Sequence, residues 1–71
     1  MRATLEFTFP EDGEAHRMAV QAPEAFAALE EMREWLRGKV KYGDLPDDVA
    51  AAFREAMDFL LSSLADRGIE L

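Results

Sequence analysis

Apolar and polar residues alternate along the first nine positions of the chain. Leu5, Phe7 and Phe9 are separated by threonine and glutamate, and this period of two is typical of a strand with one wet face. Pro10 lacks the N–H group that a strand ladder needs, so it ends the pattern. The sequence therefore predicts a strand over residues 2–9.

Residues 14–22 fit two structures. A second strand would complete a β-hairpin and place three side chains on one face, namely His16, Met18 and Val20. A short helix would use Pro10 at its first position, with Glu11 and Asp12 in the first turn. We favour the hairpin. If this segment is helical, the first strand can pair only with residues 69–71 or with a second copy of itself.

The pattern then changes to helical spacing. Pro23 and Glu24 are typical of a helix start, and an apolar stripe follows at Phe26, Leu29, Leu36 and Val40. Gly43 stands where a glycine commonly ends a helix. The sequence predicts a helix over about residues 23–42.

A second helix is predicted over about residues 46–67. Its stripe consists of Val49, Phe53, Ala56, Leu60 and Leu64, and Arg67 and Gly68 end it. Because the connection is short, the two helices should be antiparallel neighbours. The expected fold class is α+β, a single domain over residues 1–71 in which the strand or hairpin packs on this helix pair.

Length and composition point to association. A domain of 71 residues has a core worth only about 3–5 kcal/mol. The chain has no cysteine and one histidine, so neither disulfides nor a thiolate metal site can supplement that core. With an exposed strand edge as well, we expect a homo-oligomer, a dimer or higher.

The formal net charge is −7. This argues against a protein that binds duplex DNA through its whole surface, because such surfaces are basic. No apolar run is long enough to cross a membrane, and the start of the chain lacks a signal-peptide pattern. A cytoplasmic protein is expected.

The sequence does not predict an enzyme. It has no cysteine nucleophile, no recognisable Ser/His/Asp spacing and no glycine-rich phosphate loop. We accordingly predict no catalytic residue, no cofactor and no metal ion.

A basic and aromatic cluster gives the only candidate ligand site. Arg33, Arg37 and Lys41 recur at i, i+4 and i+8, beside Trp35 and Tyr42. Guanidinium groups bind phosphate oxygens and aromatic faces stack on bases, so two such ridges at a dimer axis would hold a nucleotide-like ligand.

The same cluster has a structural interpretation. Glu30–Arg33 and Glu34–Arg37 are ordinary helix pairs, and lysines near a helix end complement its dipole. Arg33 lies within the apolar arc, so we expect it to find an acidic partner such as Asp58 or a residue of a second subunit.

Four segments also resemble a family of short proteins encoded by tailed bacteriophages. They are T-L-E-F-x-x-P-E-D at residues 4–12, H-x-x-A-V at 16–20, W-L-R-x-x-V-K-Y-G-D-L at 35–45 and G-I-E-L at 68–71. The resemblance implies a phage origin and a bacterial host cytoplasm, and it implies no activity. The family often has an aromatic residue in place of Glu30 and an acid in place of Arg33.

Two functions follow as hypotheses. In the first, a phage oligomer sequesters an anionic nucleotide-like ligand and thereby counters host defence, with the basic ridge holding phosphates and Trp35 or Tyr42 stacking on a base. In the second, an acidic phage protein modulates or inhibits a host enzyme or nucleic-acid-binding protein by imitating DNA charge or steering association.

Overall fold

The computed structural model describes all 71 residues and contains two α-helices. Helix α1 spans Gly13–Tyr42 and helix α2 spans Asp47–Asp66. Residues 43–46 connect them, and the two helices pack on each other as a helical hairpin. Neither helix has the length and apolarity needed to cross a membrane.

The α+β prediction is wrong, because the structure contains no β-strand. Residues 14–22, for which we favoured a second strand, form the first turns of α1. This stretch is rich in alanine, glutamate, arginine, methionine and glutamine, which all favour helices. Arg17 reinforces the helix by donating hydrogen bonds to Glu14, three residues before it, and to Gln21, four residues after it.

The predicted strand over residues 2–9 is also absent. Alternation predicts a strand only where another strand can complete the backbone hydrogen bonds. The helix over residues 14–22 removes one possible mate, and residues 69–71 form no strand either. Instead, Thr8 and Asp12 close a turn: the Asp12 N–H donates to the Thr8 carbonyl at 2.8 Å, and the Thr8 N–H donates to Asp12 Oδ2 at 2.8 Å. The exposed strand edge, which was one of our reasons to expect a homo-oligomer, is therefore absent.

Pro23 lies inside α1 rather than at its first position. A proline there has no N–H to donate to the carbonyl four residues earlier, and its ring crowds that carbonyl. Ala19 is the residue whose carbonyl loses its helical partner. The helix continues through this point because strong helix formers lie on both sides.

The connection between the helices depends on Gly43 for space. Its backbone is extended, with φ −74° and ψ 133°, and does not have the left-handed conformation that a glycine after a helix commonly adopts. A Cβ atom at this position would lie 2.4 Å from the carbonyl oxygen of Lys39. Gly43 permits the chain to pass close to the last turn of α1 and enter α2.

Helix α2 ends in a Schellman motif. Its bounds are one residue shorter at each end than predicted. Gly68 has φ +70°, the Ile69 N–H donates to the Leu64 carbonyl at 2.9 Å, and the Gly68 N–H donates to the Ala65 carbonyl at 3.0 Å. This turn directs Ile69 back toward α1.

Very little of the chain is buried. Only Leu36 on α1 and Leu64 on α2 are buried, and they remain 3% and 8% exposed. The chain exposes 6102 Å², whereas a compact monomer of 8.0 kDa is expected to expose about 4,450 Å². The radius of gyration is 16.9 Å, compared with about 11 Å for a compact chain of this length. The single chain is therefore an elongated hairpin with much uncovered apolar surface.

Replacing Pro23 tests where α1 begins. Within a helix, Pro23→Ala should raise the free energy of unfolding by about 2–3 kcal/mol and increase helicity. The matched control is Pro46→Ala at the start of α2, which should lower it by about 0.5–1 kcal/mol because the unfolded chain gains freedom. Urea denaturation followed by circular dichroism at one fixed concentration measures both. If the two variants behave alike, α1 begins at Pro23 instead.

Two glycines give opposite expectations for the same substitution. Gly38 is inside α1 with open space around it, so Gly38→Ala should stabilise the chain by about 1 kcal/mol. Gly43→Ala should destabilise it by roughly 1–3 kcal/mol, because the new methyl group meets the Lys39 carbonyl. Thermal and urea unfolding distinguish the two, and stabilisation by both would contradict the described connection.

Candidate protein-binding surface

The negative charge of the chain is concentrated outside α1. Helix α1 contains five acidic and five basic residues and is neutral, while α2 contains five carboxylates and one arginine, which gives −4. The remaining −3 lies in the terminal segments and the connection. The two helices therefore present very different electrostatic surfaces to a partner.

Ion pairing follows the same division. All four ion pairs of the structure lie within α1, and none of the carboxylates of α2 has a cationic partner. These are Asp47, Asp48, Glu55, Asp58 and Asp66. A cationic group of another molecule can therefore interact with the carboxylates of α2 without displacing a lysine or arginine of this chain.

The exposed side of α2 contains what we name the acidic seam. Six exposed residues recur at spacings of four and three, which places them on one stripe of the helix. They are Asp48, Ala52, Glu55, Phe59, Ser62 and Asp66. Phe59 lies near the middle of the stripe and is 76% exposed, although an aromatic side chain of its size is normally covered.

The predicted basic ridge is largely neutralised by its own helix. Arg33 is half-buried and donates to Glu30, and its Nη2 lies 3.7 Å from Glu34 Oε1. Arg37 Nη1 lies 3.8 Å from the same Glu34 oxygen. The expected need of Arg33 for an acidic partner is met by Glu30 on its own helix, and Asp58 makes no ion pair with it.

The aromatic members of the predicted site contact lysines. Lys39 Nζ lies 5.4 Å from the centre of the Trp35 ring, and Lys41 Nζ lies 5.5 Å from that of Tyr42. Trp35 also packs edge-on against Phe53 of α2, with ring centres 5.5 Å apart. Trp35 is thus partly covered by α2, and Tyr42 is exposed.

The predicted ligand site is only partly assembled within one chain. Lys41 and Tyr42 are in contact. Trp35 is two residues from both Arg33 and Arg37, and two residues correspond to about 200° around a helix. The guanidinium ridge and the Trp35 ring therefore lie on opposite flanks of α1, and whether a second chain unites them stays a prediction.

A second surface, the apolar groove, lies between α1 and the segment after α2. It has a volume of about 300 Å³ and is lined by Met18, Gln21, Ala22, Ala25, Phe26, Leu29 and Ile69. The sequence analysis missed this groove, because the strand prediction for residues 14–22 placed Met18 in a sheet. The signal in the sequence was the helical spacing from Met18 to Leu36, which continues through Pro23.

The beginning of α1 has its own small cluster. His16 packs edge-on against the rings of Phe7 and Phe9, with centres 5.2 and 5.1 Å away. This contact holds the first residues against α1. Nearby, the hydrogen bond to Glu14 raises the pKa of the Arg17 guanidinium, while its partial desolvation acts in the opposite direction. No group of three or more histidine, aspartate or glutamate side chains is placed to hold a metal ion.

Comparison with protein-family models, curated proteins and solved structures gave no match.

Proposed function

We propose that this chain is a non-catalytic protein-binding module that recognises a basic surface on another protein through the acidic seam. The observation that carries the proposal is the exposed Phe59 within a stripe of unpaired carboxylates. An aromatic side chain that enters a pocket is a frequent centre of binding energy. Carboxylates around it accelerate encounter with a basic partner and select against acidic ones.

Charge density decides which kind of basic surface fits. Helix α2 is about 30 Å long and has a net charge of −4. Duplex DNA of the same length carries about 18 negative charges, one for each 1.7 Å of its axis. The seam therefore suits a small basic patch with an apolar pocket better than a long groove built for DNA. The resemblance to phage proteins suggests that this patch belongs to a bacterial host protein.

Nucleotide sequestration is the second candidate. The observation in its favour is that Lys39 and Lys41 have no carboxylate partner and lie beside exposed aromatic rings. Against it, Arg33 and Arg37 are already paired, and Trp35 faces away from them. A phosphate would have to displace Glu30 and Glu34 from the ridge, so this function is the less economical one.

Matched charge reversals test the main proposal. Glu55→Lys on the acidic seam and Glu31→Lys on α1 change the net charge equally. We expect Glu55→Lys and Phe59→Ala, each tested alone, to abolish capture of a basic bacterial protein from a lysate. Glu31→Lys should leave this capture unchanged. For the purified partner, Phe59→Ala should weaken binding by roughly 30-fold, and the affinity should fall with added salt.

The stability of both seam variants should be unchanged, since both side chains are exposed. Capture that survives Phe59→Ala and Glu55→Lys contradicts the proposal. Titration calorimetry with a cyclic dinucleotide and a nucleoside triphosphate examines the second candidate: binding that is lost in Arg37→Glu would favour nucleotide sequestration.

A further inference from the structure

The helical stripe that packs α1 against α2 continues beyond the region that α2 covers. Six residues follow one another at alternating spacings of four and three, the heptad pattern of helices that pack along their length. We name this stripe the α1 seam; its members are Met18, Ala22, Ala25, Leu29, Met32 and Leu36. Leu36 is buried and only 3% exposed, whereas Met18 is 59% exposed.

The difference in helix length explains the uncovered part. Helix α1 has 30 residues and α2 has 20, which correspond to about 45 and 30 Å. Starting from the connection at residues 43–46, α2 reaches back along α1 only part of the way. Ile69 covers one side of the remaining stretch and leaves the apolar groove open beside it.

The size of the uncovered surface indicates what fills it. The chain exposes 6102 Å², which is roughly 1,650 Å² more than a compact monomer of its mass. A typical stable interface covers about 800 Å² on each partner. This excess belongs to the whole elongated chain, and it leaves room for an interface of that size on the uncovered part of α1, which is larger than the groove of about 300 Å³ alone.

Charge indicates which partner fits. Between Met18 and Leu29, α1 carries a single ionisable side chain, Glu24. Two copies of this stretch therefore approach without the repulsion that two copies of the acidic seam would experience, each on a helix of net charge −4. An apolar surface with so little charge is complementary to itself.

We propose that two copies of this chain pair through the apolar groove, with the α1 seams antiparallel about a two-fold axis. The contact is isologous, so the same patch serves both chains. Met18 of one chain then faces Leu29 of the other, and Ala22 and Ala25 lie at the axis. Their small side chains let the two helices approach closely, and Phe26 and Ile69 flank the contact. The result is a four-helix dimer whose acidic seams remain free.

A charge placed at the axis tests the contact. Ala25 lines the groove, whereas Ala27 lies two residues on, about 200° around the helix; both are exposed in the single chain. Ala25→Glu should raise the dissociation constant of the dimer by roughly a hundredfold or more, because two unpaired carboxylates are buried together. Ala27→Glu, with the same composition, should leave it unchanged. Analytical ultracentrifugation and native mass spectrometry measure both.

A cysteine scan locates the axis independently of affinity. The chain has no cysteine, so each variant carries one thiol. Under mild oxidation, Ala22→Cys and Ala25→Cys should give covalent dimers at low concentration, while Ala27→Cys should not. The proposal is overturned if the chain is a monomer of 8.0 kDa at concentrations near 100 µM, with or without a bound small apolar molecule. It is also overturned if the chain is a dimer that Ala25→Glu leaves intact. Phe59→Ala should not affect dimerisation, so this proposal and the binding function fail separately.

Discussion

The structure depends on one constraint: a shorter helix cannot cover the full length of the longer helix on which it packs. The shorter helix covers the later half of α1 and creates the small core around Leu36 and Leu64. The earlier half of α1 continues with the same apolar spacing and has only Ile69 beside it. Since apolar burial is the main favourable contribution to folding, the uncovered half of α1 is the surface on which the proposed pairing of two chains rests.

The distribution of charge gives the two helices separate roles. In α1, all three arginines pair with glutamates of the same helix, and the net charge is zero. In α2, the carboxylates have no partners and surround an exposed phenylalanine. A neutral apolar face suits a copy of itself, and an acidic face repels its own kind. The proposed self-association and the proposed recognition of a basic partner therefore use different faces of the same hairpin.

Particular residues show what the sequence could and could not predict. The bounds of α2 follow from local signals that act within the helix itself, such as Pro46 at its start and Gly68 at its end. The start of α1 does not, because Pro23 is a typical first residue of a helix and here lies inside one. The alternation at residues 2–9 is real, but a strand requires a mate that no local pattern supplies.

The candidate sites divide in the same way. The pairing of Arg33 and Arg37 with glutamates follows from spacing along one helix, so the sequence already contained it. The contact between Trp35 and Phe53 and the apolar groove depend on how two elements meet. The acidic seam was visible in the sequence as heptad spacing, but the exposure of Phe59 required knowing which face of α2 meets α1.

The proposed dimer also bears on nucleotide binding, because it fixes where the two basic ridges lie. If the axis passes between Ala22 and Ala25, Arg37 is about 13 to 14 residues from it along α1, which is about 20 Å. The two Arg37 side chains are then roughly 40 Å apart, at opposite ends of the assembly. A dinucleotide is too short to reach both. Sequestration of a nucleotide by two basic ridges therefore needs a different two-fold axis, one near the connection between the helices. Pairing through the α1 seam and a nucleotide pocket shared by two chains are thus alternative dimer arrangements.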